Sequence, residues 1–264
     1  MEKALIFCDR RTVPCRIKGA AMYKNIIKGI FIERPNRFIA RVIINGMEET
    51  VHVRNTGRCR ELLLPGAEVY LEPAVNERKT KWSLIGVRKG ERIVNIDSQI
   101  PNKAVEAVLR AGKLELPGIS GEIIKLKRES TYCSSRFDFY FETKEQKGYI
   151  EVKGVTLEID GVARFPDAPT ERGTKHINEL MAAVENGYCG YIIFVIQMKG
   201  IKWFEPNYAT DPLFSETLKS SAERGVRIIA VDCHVGPDFM EIDEYVDVRL
   251  FCECDRGEPS PVAE

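Results

Sequence analysis

The sequence predicts two joined units, a small β-barrel followed by an α/β domain with a mixed sheet. Three observations carry this. Short runs rich in branched residues crowd positions 26–96, each ended by a turn signal. Helix-period segments begin only beyond residue 100, where they alternate with strands. The charge divides at the same place: residues 1–97 hold 19 Lys and Arg against 11 Asp and Glu, and the remainder holds 20 against 28. With 264 residues, 44% hydrophobic and 30% charged, the chain has room for both units and the composition of a globular protein.

The elements follow in order. Residues 1–24 read as an N-terminal extension, too quickly charged for a secretory signal. The barrel unit spans 25–97. Its strands are expected at Ile26–Glu33, Phe38–Ile44, Thr50–Arg54, Glu68–Leu71, Trp82–Val87 and Ile93–Ile96. Asn45-Gly46 is a two-residue hairpin turn, and Pro65-Gly66 and Lys89-Gly90 mark further turns. Asp97 to Pro101 reads as a hinge. The second unit spans 98–237 and opens with a helix capped by Asn102, with Val105, Val108 and Leu109 on one face and Gly112 as its stop. Strands follow near Ile123–Lys127, Ser135–Phe141 and Tyr149–Leu157. A helix over Glu171–Glu185 buries Ile177, Leu180, Met181 and Val184, and Gly187 stops it. Tyr191–Ile196 is continuously apolar, the signature of a strand covered on both faces. A helix at Pro212–Arg224 and a strand at Val226–Val231 complete the unit. Residues 238–264 read as an acidic tail, disordered around Gly257 to Pro261.

The chemistry concentrates on two of these strands. In Ile150-Glu151-Val152-Lys153 the alternation of a strand puts Ile150 and Val152 on one face and Glu151 and Lys153 on the other. Alone, such a pair reads either as an exposed ion pair or as a metal ligand beside a water-positioning cation. Phe137-Asp138-Phe139 repeats the inversion, and a hairpin loop near Thr143 to Gly148 brings Asp138 beside Glu151. Two hard carboxylates of this kind suit Mg2+ or Mn2+, and Lys153 on the same face can orient a water, a combination that supports attack on a phosphodiester. The basic first unit is the candidate for a polyanion partner, and small five-stranded barrels include oligonucleotide binders.

Other chemistries are excluded. There is no Walker loop, no dinucleotide fingerprint and no nucleophile elbow. No apolar run is long enough for a bilayer span, so no membrane role and a cytoplasmic location are expected. The 8 cysteines form no C-x-x-C pair and read as reduced thiols; Cys252 and Cys254 lack a second pair at zinc spacing.

Several segments together resemble one family. Glu33-Arg34-Pro35-Asn36-Arg37-Phe38, Asn55-Thr56-Gly57-Arg58, Ser135 to Phe139, Glu151 to Leu157, Phe165 to Thr170 and Arg172 to His176 look like the sugar fermentation stimulation protein A (SfsA) family. The resemblance runs from about Phe31 to His234. It implies an OB-fold followed by a restriction-endonuclease-like domain of the D…(D/E)-x-K type. It further implies nonspecific DNA binding and a proposed regulatory link to sugar (maltose) metabolism. An active Mg2+- or Mn2+-dependent nuclease cutting DNA or RNA is the alternative. By motif, Asp138, Glu151 and the Val152 carbonyl would hold the metal and Lys153 would be catalytic. A homodimer is compatible with the sequence.

Flanking residues extend the site. Glu106, the acid of the first helix, reads as an additional ligand or as a solvent-facing side chain. Asp167 reads as a ligand, a substrate contact, or a turn or cap residue. Arg172, Lys175 and His176 lie in a first helical turn, where cations oppose the helix dipole, which points to phosphate contact; His176 also reads as a half-buried histidine. Asn55, Thr56, Gly57 and Arg58 suggest an anion cradle, with Arg34 and Arg37 adding backbone contacts. Trp82 reads as a base-stacking ring or as core.

Overall fold

The computed structural model describes residues 22–55, 57–74 and 79–251. Most of the N-terminal extension, Thr56, Cys252, Cys254 and the acidic end therefore lie outside the described residues.

The barrel is built from β1 (Ile27–Asn36), β2 (Ile39–Ile44), β3 (Met47–Val53), β4 (Glu68–Pro73), β5 (Trp82–Lys89) and β6 (Arg92–Asn95). Their order is β3-β2-β1-β4-β5-β6, and a parallel pairing of β3 with β5 closes the barrel. Alternate residues Ala40, Val42 and Ile44 point inward beside Phe31, Val51, Val53, Val69, Leu71, Leu84 and Val87. Asn45 and Gly46 both take positive φ (51° and 80°), as a two-residue hairpin between right-twisted strands requires. Trp82 packs against this core.

The second unit begins with α1 (Ile100–Arg110), followed by β7 (Lys125–Tyr132), β8 (Ser135–Glu142), β9 (Lys147–Val155), β10 (Leu157–Ile159) and β11 (Val162–Phe165). Then come α2 (Glu171–Glu185), β12 (Cys189–Ile196), β13 (Trp203–Pro206), α3 (Pro212–Glu223), β14 (Arg227–Val235) and β15 (Met240–Val246). The main sheet runs β15-β14-β12-β9-β8-β7, parallel through its centre and antiparallel at both edges. Along β12, Ile192, Phe194 and Ile196 join the cluster that holds α2 and α3, while Tyr191, Ile193 and Val195 join the cluster that holds α1. Burial on both faces explains why this strand has no polar positions.

Four expectations need correction. The first helix starts at Ile100, with Gln99 as its N-cap and Pro101 in its first turn, where a missing N–H is harmless. Asn102 is therefore inside the helix, with its side chain free for another task. A small sheet, β10-β11-β13, has no counterpart in the sequence reading, because its strands are only 3 or 4 residues long. Residues after 238 are not all tail: β15 pairs antiparallel with β14 and buries Met240, Ile242 and Val246. The extension is likewise anchored at its end, where Met22 and Tyr23 donate to the Asp238 carbonyl and the Tyr23 hydroxyl accepts from Asn95.

Candidate metal-dependent phosphodiesterase site

Strand β9 is held between β8 and β12, which fixes the height and facing of Glu151 and Lys153. Ile150 and Val152 are buried toward α1, so the alternating residues Glu151 and Lys153 face the α2 side. Gly154 follows because a Cβ there would lie 2.5 Å from Gln197 Oε1 and 3.0 Å from Pro101 Cγ. The β8–β9 ladder ends at Phe139–Ile150, one pair short of Asp138 and Glu151. Asp138 then substitutes a side-chain contact: its Oδ2 accepts the Val152 amide at 2.8 Å, and its Oδ1 accepts Asn102 Nδ2 at 2.6 Å. The ladder thus stops just before the position where Asp138 would pair with Glu151.

The electrostatics of the pair are unequal. Burial raises Asp138, the Glu151 charge raises it further, and the Val152 amide, Lys153 and Asn102 only partly oppose them. Burial also pushes Glu151 up, but Lys153 and His176 outweigh it and hold the carboxyl below its ordinary value. Both side chains act on one oxygen. Lys153 Nζ lies 2.6 Å and His176 Nδ1 2.5 Å from Glu151 Oε1. The other oxygen, Oε2, is buried with no hydrogen-bond partner. A buried carboxylate oxygen left bare in this way calls for a cation or a donor supplied from outside. Asp138 and Glu151 therefore fit a hard divalent ion. Among the described residues no group of three or more His, Cys, Asp or Glu side chains converges on one point, so the shell would be completed by backbone and phosphate oxygens.

The flanking residues separate into two groups. Arg37, Arg58, Arg172 and Lys175 are exposed, although Lys175 Nζ also lies 3.8 Å from Glu179 and 3.4 Å from the Ser134 carbonyl. Arg34, Asn55 and Gly57 instead build a turn. Arg34 donates to the carbonyls of Gly57 and Arg58 (both 2.8 Å), Arg37 (2.7 Å) and Asn55 (2.6 Å), which leaves no terminal N–H for phosphate. Asn55 accepts the Gly57 amide and donates to the Ile96 carbonyl. Asp167 accepts the Arg58 amide at 2.7 Å, so that amide is not free for an anion. Asp167 is not the helix cap, a role filled by Thr170. It ties the barrel turn to the segment before α2, and the fit is close enough that a Cβ at Gly57 would lie 2.8 Å from its Oδ2. Glu106 is bound to Arg110 and Arg128. His176 is buried against Glu151 rather than exposed to phosphate. Asn102 is the site residue that sequence reasoning missed; its signal was the Asn one turn before Glu106 on the same helix face.

A family model described as the SfsA N-terminal OB domain matches residues 32–96. A second, described as the sugar fermentation stimulation protein RE domain, matches residues 99–239. The chain belongs to the SfsA family. Within that family it is 55% identical over 230 residues to the sugar fermentation stimulation protein homolog of Clostridium beijerinckii, covering 86% of this chain and 99% of that one. The homolog from Ruminiclostridium cellulolyticum is 56% identical over 229 residues, with the same coverage. The structure of Pyrococcus furiosus SfsA in complex with Ca2+ aligns with a TM-score of 0.78 at 30% identity, over 86% of this chain and 97% of that one. The OB-fold barrel and mixed-sheet α/β domain anticipated from the sequence are thus those of the SfsA family. No helix among the described residues is long and apolar enough to cross a membrane.

Proposed function

We propose that this SfsA-family protein binds nucleic acid through its exposed Arg and Lys side chains and hydrolyses phosphodiesters at Asp138, Glu151 and Lys153 with Mg2+ or Mn2+. The observation that carries the reading is the bare, buried Oε2 of Glu151 beside an Asp138 held by two donors. The Pyrococcus furiosus relative is known in complex with Ca2+, an ion of the same oxygen-seeking class. When bound, the divalent ion supplies a Lewis acid that polarises the phosphoryl oxygens. Asn102 and the Val152 amide hold Asp138 in place. Lys153, fixed on Glu151 Oε1, would orient an attacking water and steady negative charge on the phosphate. Arg58, Arg172 and Lys175 contribute sequence-independent phosphate contacts.

The test is incubation of the purified chain with plasmid, linear and single-stranded DNA and with RNA, in Mg2+ or Mn2+. Cleavage that disappears in Glu151→Ala and Lys153→Ala supports the reading. A salt-sensitive gel shift without cleavage reduces it to nucleic-acid binding, as a regulator of sugar metabolism would need. Neither cleavage nor a shift at low salt refutes both.

A further inference from the structure

Helix α2 carries a residue whose place the metal reading does not explain. His176 is buried in its first turns, between Gly173 and Ile177, with Phe137 presenting a ring 6.0 Å from the imidazole. Its Nδ1 meets Glu151 Oε1 at 2.5 Å. Its Nε2 faces Arg172 Nε at 3.4 Å, one helical turn back. Arg172 can only donate. Nε2 is therefore the acceptor, and the ring proton sits on Nδ1, where Glu151 receives it. The order Arg172, His176, Glu151 is a chain of donors ending on one carboxylate oxygen.

We propose that His176 is a positioning residue for the metal ligand Glu151. A carboxylate on a strand can rotate about its last torsion. Lys153 alone would not prevent this, since a single ammonium on a flexible stem follows whichever oxygen it binds. The imidazole is rigid, packed against Phe137, and anchored on a helix. By adding a second donor to the same oxygen it locks Oε1 and leaves Oε2 as the oxygen presented to a cation. Arg172 fixes the tautomer that makes this possible. The relation is that of an outer-sphere partner to a ligand, in which loss of the partner lowers metal affinity about 10- to 100-fold.

This inference rests on the metal reading above, and its test separates the two. Mn2+ affinity is measured without nucleic acid, by calorimetric titration and by the paramagnetic resonance of free Mn2+. His176→Ala should weaken binding at least about 10-fold. His176→Asn, whose amide can place an N–H where Nδ1 stands, should recover most of the loss. His176→Gln, whose amide reaches the Nε2 position instead, should not. Arg172→Ala, at an exposed position, should weaken Mn2+ binding several-fold and keeps the test in force if His176→Ala does not fold. Wild-type affinity in both His176→Ala and Arg172→Ala overturns the positioning role, as does a folded His176→Asn no better than His176→Ala. If the wild-type chain shows no Mn2+ binding that Glu151→Ala removes, the metal reading itself falls and this inference falls with it.

Discussion

Replacing Arg54 with alanine should unfold this protein at a markedly lower temperature, although the residue touches no carboxylate of the site. Arg54 closes β3 and holds two acids at the junction of the units: Nη2 lies 2.8 Å from Glu72 Oε2 and Nη1 lies 3.2 Å from Asp97 Oδ2. The Asp97 side chain is only 1% exposed, and its other oxygen accepts the Gln99 amide that leads into α1. Removing the guanidinium leaves the buried Asp97 side chain without its partner. Breaking a buried pair from one side costs about 3–5 kcal/mol. The Gln99 amide retains part of the compensation for Asp97, and Glu72 keeps the Lys24 amide, so the lower part of that range applies, about 3–4 kcal/mol. For a fold of this size, at about 2–4 °C per kcal/mol, the melting temperature should drop roughly 6–16 °C. Differential scanning calorimetry with urea titration measures both quantities. Asp97→Asn added to Arg54→Ala should restore much of the loss, because a neutral amide keeps the Gln99 contact without a stranded charge. A loss under about 1 kcal/mol, or no recovery in the double variant, would show that the junction does not depend on this ion network.

Three further outcomes can be measured. Mn2+ at 100 times its dissociation constant should raise the wild-type unfolding free energy by about 2.7 kcal/mol and leave Glu151→Ala unchanged, as read from urea midpoints. Burial pushes Glu158 up, but Lys89 and the Gly161 amide outweigh it and hold the carboxyl below its ordinary value of 4.5. A lowered carboxyl stabilises the fold above its unfolded pKa and loses that contribution as pH falls through the folded value. Glu158→Gln should therefore be less stable than wild type at pH 7, with the difference shrinking in acid below about pH 4, as urea titrations across that range would show. Arg58→Ala and Lys175→Ala should each weaken DNA binding about equally across sequences and reduce the salt slope by roughly 1; a sequence-selective loss would contradict backbone contact.

The parts of this molecule that were legible in the sequence are those fixed by local periodicity. The alternation of Ile150, Glu151, Val152 and Lys153, the Asn45-Gly46 turn and the two-sided apolar run of β12 depend on neighbours along the chain, and each stands as read. What was not legible depends on partners far away in sequence. Arg34 looks like a free cation until the 55–58 turn folds over it and takes its N–H groups. Asn102 looks like a helix cap until Asp138 arrives on β8. His176 carried two readings, a phosphate contact and a half-buried histidine, and only Glu151 arriving beside it from β9 selects the second. Strand β15 was hidden because its acidic residues suggested solvent, yet alternate positions Met240, Ile242 and Val246 suffice to seat an edge strand.

The apolar cluster that begins inside the barrel at Phe31 and Val42 continues without a break to Phe194 and Leu218 in the second unit. A core shared in this way joins the two units through one apolar interior. The protein is therefore a jig rather than a pair of jaws. The basic turn at Arg58 and the carboxylates on β8 and β9 are thus mounted on one continuous core. If the proposed function holds, a polyanion laid across both would conform to their spacing by its own bending. On this view selection among substrates follows from their flexibility more than from any closure of the protein.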